Sequence, residues 1–329
     1  MATAGTLGRN GVYRDPIWRL AVALTPVEQQ LLRSPAVRRL QFIAHAGAAS
    51  IATSQSYSRL DHSLGLLALA AHVAPDDQGL RLAALLHDVG HLPFSHSVEG
   101  IGGLDHHRLG MHVVQSMAPL LHAYGVNADE IIEVIDGHRP SHLGAVPGGL
   151  KLDHFESFVR AGLSHGRLKE LPSETLARVR VDEYGVSADP ATARYLAELA
   201  VGEARFMFDF ECVVTTGVLR HLVSTLMAAS GPGEPVRPVD LSALTDDEMW
   251  SVLLRHPRTA RLSRLLRDDP LAWELVTDAA DGIGYRVERL YLGTACVGGQ
   301  PTGIPPDLLG QLPALPWHCV LRLLDLGSA

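Results

Sequence analysis

The sequence predicts a mostly α-helical protein with a small α+β part at its C-terminal end. Three observations carry that reading. Apolar residues recur at helical spacing in segment after segment up to residue 229. Cap residues stand at the starts of several of those segments. Strand-like text is confined to two short stretches near the end of the chain.

The elements follow in order. In LTPVEQQLLRSPAVRRLQFIAHAG, residues 24–47, Thr25 is an N-cap, Pro26 takes the first helical position and Glu28 closes a capping box. Ser34 and Pro35 start a second helix in the same way. Residues 58–73 form a further helix with Leu60, Leu64, Leu67 and Ala71 along its apolar face. Residues 79–89 are helical, and Gly90 and Pro93 end the run. Helices are also expected at 106–123, 128–137, 151–161, 191–201 and 208–229. The clearest break is GPGEPVRP at 231–238, dividing a helical core, residues 1–230, from a C-terminal extension, residues 231–329. Beyond it, Thr245, Asp246, Asp247 and Glu248 place a cap and three acids on the positive end of a helix. Residues 286–292 and 319–324 read as strands, the first by alternation.

Composition narrows the function. The 329 residues are 47 % hydrophobic and 19 % charged, as in a globular chain with ample length to bury a core. Lys plus Arg total 28 against 36 Asp plus Glu, a net charge of −8 that argues against bulk binding to nucleic acid or an anionic membrane. Cys212, Cys296 and Cys319 lie far apart and form no CxxC, which fits a reducing cytoplasm and excludes a thiolate zinc finger. The first ten residues contain no apolar segment after a basic start, and the longest apolar stretch, residues 64–74, is too short to span a bilayer. The expected location is the cytoplasm. The unusual count is 17 histidines against 7 Phe, 7 Tyr and 4 Trp.

Those histidines cluster with acids. LAALLHDVGHLPFSH, residues 82–96, sets His87 and Asp88 side by side at the end of an apolar helix, where burying them would be costly without a partner. A divalent ion is the natural one, because imidazole nitrogen and carboxylate oxygen suit Mn, Fe, Co, Ni or Zn. His91 follows four residues after His87. Upstream, SRLDHSLG at 58–65 places Arg59 and His62 at i and i+3 on one helix face, and an arginine beside a histidine ligand suits a metal-bound phosphate. Downstream, LKLDHFESFVRAG at 150–162 opens a helix near Asp153. Taken alone, each segment also reads blandly: a helix C-terminus, an exposed Arg with a core-edge His, an ordinary N-cap.

Together they make an H…HD…D order, and the chain resembles the HD-domain metal phosphohydrolase superfamily. RLDHSLG and ALLHDVGHLPFSH are similar to elements of its deoxynucleoside triphosphate triphosphohydrolase branch. So are DPIW at 15–18, SPAVRRLQFIAHAG at 34–47 and LTDDEMWSVL at 244–253. The resemblance runs over roughly residues 12–255 and implies an HD-domain helical bundle around a metal site. It implies His62, His87, Asp88 and Asp153 as metal ligands, and His91 and His106, with His107 an equally near alternative to His106, as proton-handling histidines. Arg59 would contact phosphate, and His96, His154 and Ser157 would join Arg59 in holding substrate. One divalent ion per chain (Fe, Mn, Ni, Co, Zn or Mg) follows. An H…HD…H…H…D order would seat a second ion, with His106 and His138 filling the extra places. His45, His72, His112, His122, His221 and His256 read as core-edge or surface residues.

The chain departs from that branch after Asp153. Where its pattern is D-K-x-x-Y-x-x-R-D, this sequence has His154 for Lys, Ser157 for Tyr and Ala161 for Asp, while Arg160 is kept. The metal set survives and much of the dNTP clamp does not. The expected function is a metal-dependent phosphohydrolase acting on a nucleotide or related phosphate ester, and not an efficient dNTP triphosphohydrolase. The alternatives are an iron-dependent HD-domain oxygenase of a small molecule and a nucleotide-binding regulatory protein. A small phosphorylated molecule and further copies of the chain, in a homo-oligomer, are the expected partners. Arg33, Arg38 and Arg39 read as a solvated helix face, with an interface nucleotide site as the sharper alternative.

Overall fold

The structure is a computed structural model that describes residues 10–182, 184–228, 238–277 and 281–324. The opening segment up to residue 9 and most of the break expected at 231–238 lie outside the described residues.

The first helices form where their caps dictate. Thr25 caps α1 (Pro26–Leu31) and the reciprocal Glu28 contact completes the capping box. Ser34 caps α2 (Pro35–Arg39), which is shorter than its apolar text suggests because the chain passes into two 3-10 turns before residue 52. Ahead of them, β1 (Val12–Arg14) pairs antiparallel with β2 (Ala21–Ala23), a hairpin the helical reading missed.

The centre of the molecule is α3 (Arg59–Val73), capped by Ser58 and Asp61 in a second capping box. It is buried nearly all round, since α4 (Gln78–Leu86) packs on one side and α8 (Leu152–Ser164) on another. Around these stand α5 (His106–Ser116), α6 (Ala118–His122) and α7 (Ala128–Ile135), and then α9 (Pro172–Leu176), α10 (Pro190–Phe206) and α11 (Phe210–Ala228). One core joins Leu60, Leu64, Leu82 and Leu86 to Ile131 and Val134. A second joins Leu66 and Leu69 to Phe155, Val159 and Leu196. Burying a side chain of this kind contributes about 1.5–3 kcal/mol, so α3 is held from both faces.

The C-terminal residues are mixed as predicted. Here α12 (Pro238–Ser242), α13 (Asp246–Arg255) and α14 (Ala260–Asp268) precede a three-stranded antiparallel sheet. In that sheet, with β3 and β4 numbered in chain order below, β5 (Trp273–Val276) and β6 (Ile283–Val287) flank β9 (Trp317–Leu323) in register Leu275↔Leu321 and Ile283↔Leu321. The strand expected at 286–292 starts earlier, at Ile283, and ends at Val287. A four-stranded sheet of order β3-β4-β7-β8 links β3 (Val179–Asp182) and β4 (Gly185–Ala188) to β7 (Cys296–Val297) and β8 (Gln300–Pro301). Short α15 (Pro306–Leu309) lies between β8 and β9. A third core draws on Leu92 and Phe94, on Val214 and Leu222 of α11, and on Leu253, Leu266 and Leu321. No helix of the described residues is long and apolar enough to cross a membrane.

Candidate metal centre

α4 stops at Leu86, with His87 as its C-cap, and the backbone turns tightly so that the His91 N–H reaches the Asp88 carbonyl. The turn packs against α5 at Gly90: a Cβ there would stand 2.1 Å from the Gly110 nitrogen and 2.2 Å from the His106 carbonyl. Only glycine permits that approach, and it brings His106 over His91. A second glycine acts similarly on α3, where a Cβ at Gly65 would lie 2.1 Å from Glu156 Oε1.

These elements bring His62, His87 and Asp153 together, each offering a ligand atom within 4.8 Å of the others. His62 Nε2 lies 2.9 Å from Asp153 Oδ1 and 3.3 Å from His87 Nε2, which is 3.2 Å from Asp88 Oδ1. Both imidazoles are oriented from behind. His62 Nδ1 lies 2.5 Å from Glu156 Oε2, and His87 Nδ1 donates to the Ala84 carbonyl at 2.9 Å. With both Nδ1 atoms donating, two Nε2 lone pairs face one another across 3.3 Å beside two carboxylate oxygens. That donor set fits a divalent cation. Without one, burial opposes a charge on His62, but Glu156 and Asp153 outweigh it and its pKa is pushed up to about 10. Burial likewise opposes ionisation of Asp88, yet His87, Arg59 and His91 hold its carboxyl well below the usual range.

Four of the expected ligands therefore converge, and the sequence reading missed what supports them. Glu156 is fully buried and gripped by Arg160, whose Nε donates to its Oε1 at 2.7 Å; Arg160 Nη2 also lies 3.9 Å from Asp15. The signal was a lone acid, one turn from Asp153, inside an apolar helix face with an arginine at i+4. His45, read as core-edge or surface, instead places its ring 4.8 Å from that of His62 and stacks on Tyr57. Burial and the neighbouring Arg59 keep its pKa well below the usual histidine value.

Arg59 departs from its expected geometry. It is buried, and its Nη1 donates to Asp88 Oδ2 at 3.0 Å, its Nε to Ser95 Oγ at 2.9 Å and its Nη2 to the His45 carbonyl at 3.2 Å. Those bonds aim the fork at a ligand carboxylate, so the residue positions Asp88. His91 Nε2 stands 3.1 Å from the other Asp88 oxygen. Its ring stacks on His106 at 4.4 Å between centroids, and His96 meets both rings edge-on. Ser157 Oγ makes a long 3.5 Å contact with His45 Nε2, while His154 sits against Phe158 and Tyr291. His138 is exposed and joins neither histidine group among the described residues, so the pairing of His106 with His138 is corrected: His106 lies with His91 and His96. Arg39 is also corrected. It is half-buried, and it donates to the His91 carbonyl and to those of Ser242, Ala243 and Leu244.

The HD domain family model matches residues 59–181, which carry all four of the expected ligands, His62, His87, Asp88 and Asp153. Three curated proteins share the region. The "Uncharacterized protein MJ1154" of Methanocaldococcus jannaschii is 34 % identical over 111 residues, 32 % of this chain and 24 % of that protein. The "Uncharacterized protein YwfO" of Bacillus subtilis is 32 % identical over 115 residues, 31 % of this chain and 27 % of that protein. The "Metal-dependent phosphohydrolase cns2" of Cordyceps militaris is 37 % identical over 91 residues, 27 % of this chain and 26 % of that protein. The chain thus spans about a quarter of the length of these relatives.

Proposed function

We propose that this chain hydrolyses a phosphate ester of a nucleotide or similar small molecule, using one divalent ion held by His62, His87, Asp88 and Asp153. The observation that carries the reading is the facing pair of oriented Nε2 atoms beside the Asp88 and Asp153 carboxylates. The relative named a metal-dependent phosphohydrolase supports it. When bound, such an ion polarises a phosphoryl oxygen and makes a water acidic enough to attack at neutral pH.

The protein's own residues supply the rest. Glu156 and the Ala84 carbonyl fix the two ligand tautomers, and Arg59 fixes Asp88. Burial and Arg59 hold the His91 pKa well below the usual value, so its ring is neutral at pH 7. The Glu99-linked His106, stacked on neutral His91, is the group we assign to take up or release a proton at the reacting phosphate.

Deoxynucleoside triphosphates are expected to be poor substrates. Ala161 is fully buried and carries no polar group, His154 is turned into an aromatic contact, and Ser157 makes a long contact with His45. The test is protein purified without added metal, assayed for metal content and then for phosphate, pyrophosphate or triphosphate release from a panel of nucleotides and simple phosphate esters. One ion per chain with phosphate-ester hydrolysis lost in Asp153→Ala is the expected result. Two irons with O₂ uptake, or efficient triphosphate release from a dNTP, would overturn the reading.

A further inference from the structure

The protein is acidic as a whole, with a net charge of −8, yet residues 255–267 hold five arginines and no acid. Arg255, Arg258, Arg261, Arg264 and Arg267 recur at every third position, and all five are exposed. Arg255 ends α13, Arg258 stands in the turn that follows, and the other three lie on α14, whose Ser263 and Leu266 face the core. Spaced three apart, those three share the outward side of the helix over about 9 Å. Arg267 pairs with the exposed Asp268, and among the described residues no ion pair holds Arg258, Arg261 or Arg264.

The opposite arrangement stands on α7. Residues 129–136 hold four acids and no base, and Asp129, Glu130, Glu133 and Asp136 are all exposed. Asp129, Glu133 and Asp136 are four and three residues apart, so they share one outward face of about 10 Å, opposite the buried Ile131 and Val134. Glu130 takes Arg139 at 3.4 Å, and among the described residues no ion pair holds the other three. Both stripes run into helix ends that repel them. Glu133 and Asp136 sit at the negative C-terminal end of α7, and Arg261 sits in the positive first turn of α14. Beyond the other end of each stripe lies an exposed apolar side chain: Tyr124 precedes α7 and is 43 % exposed, and Leu271 follows α14 and is 68 % exposed.

We propose that α14 of one copy of this chain docks antiparallel on α7 of the next, arginine stripe against carboxylate stripe. That direction meets three features at once. It sets Arg261 towards Asp136, Arg264 towards Glu133 and Arg267 towards Asp129. It lays the positive end of one helix on the negative end of the other, and it brings Leu271 over Tyr124. The two stripes are different surfaces on different cores, so the contact is head-to-tail and runs from copy to copy until a ring closes. Helices this short bury less than the roughly 1,000 Å² of a tight interface, which makes the association weak and governed by charge. A phosphate backbone would engage the arginines alone and leave the matching carboxylate stripe without a role, and that match favours a second copy. The inference concerns this surface and holds whether or not the chain is a phosphohydrolase.

The test is sedimentation velocity of the full chain at about 0.01 M and about 1 M salt, where the screening length falls from about 30 Å to about 3 Å. Oligomers at low salt and single chains at high salt are expected. The double variants Arg261→Glu/Arg264→Glu and Asp129→Lys/Glu133→Lys change only exposed side chains, and each should run as single chains at low salt. Mixed in equal amounts they should assemble again, because each supplies the intact stripe that the other lacks and the two reversed stripes also match. Single wild-type chains at low salt, assembly that survives either double variant, or a mixture that stays apart would overturn the interface. A wild type that stays a single chain and binds a single-stranded oligonucleotide, lost only in Arg261→Glu/Arg264→Glu, would overturn it too and give the face to nucleic acid.

Discussion

Glu156 Oε2 lies 2.5 Å from His62 Nδ1, and both side chains are sealed from solvent at the heart of the helical core. Burial opposes the Glu156 charge, but Arg160 and His62 hold its carboxyl below the usual range. The pair turns the opposite nitrogen of His62 towards Asp153 and His87. Replacing Glu156 by Gln keeps the shape and removes the charge. Metal affinity should fall by roughly 10–100-fold, as for other outer-shell partners of a ligating histidine. Isothermal titration of Mn²⁺ into both proteins reads the change, and equal affinities would remove Glu156 from the centre.

His87 and Asp88 meet just past the end of α4, where Asp88 is buried among Arg59, His87 and His91. His87→Ala and Asp88→Ala should each remain folded and lose the ion. Elemental analysis alongside far-UV circular dichroism checks both halves of that statement. Metal retained at the wild-type level in either variant contradicts the ligand set.

Arg59 spends three donors on Asp88, Ser95 and the His45 carbonyl. Lysine has a single charged nitrogen and cannot span those acceptors. Arg59→Lys should therefore loosen Asp88 and weaken ion binding by on the order of 10-fold or more, with turnover falling further. A variant with unchanged metal affinity but turnover reduced on the order of 10²-fold would instead place Arg59 against the substrate. Measuring both on one sample separates positioning from phosphate binding.

Asp246 ties the C-terminal residues to the site. Its two oxygens accept the Ala44 N–H at 2.8 Å and the Phe94 N–H at 2.6 Å, bracing the strained turn that carries Ser95. Burial pushes its pKa up to about 6, against the pull of those two donors and of Arg39. The unfolded value is near 4, so the native state takes up the proton first. Stability from this group grows as pH falls from about 7 towards 4 and is lost as pH rises through 6. Asp246→Asn should cost about 1–3 kcal/mol by leaving a buried N–H unpaired, and the gap between wild type and variant should widen on acidification. Denaturant unfolding at pH 5 and pH 7 measures it; a gap independent of pH would refute the shifted carboxyl.

The sequence by itself determined the helices and their starts. Thr25, Ser34 and Thr245 cap the helices they were expected to cap, because a cap is a local event between residues three apart. It also marked His87 and Asp88, since side-by-side polar residues at the end of apolar helical text are costly without a shared partner, and the family resemblance added His62 and Asp153. Tertiary structure alone decided the rest. Glu156 and His45 gain their places because α8 and the segment before α3 converge on His62, and no periodicity records which buried acid faces which imidazole. Arg59 turns to Asp88, Arg39 to four backbone carbonyls, and His106 to His91 and away from His138, each across more than a dozen residues of chain. Such partners are chosen by distance in the folded state, where an unpaired buried charge or donor is costly, and one-dimensional spacing carries no information about that distance.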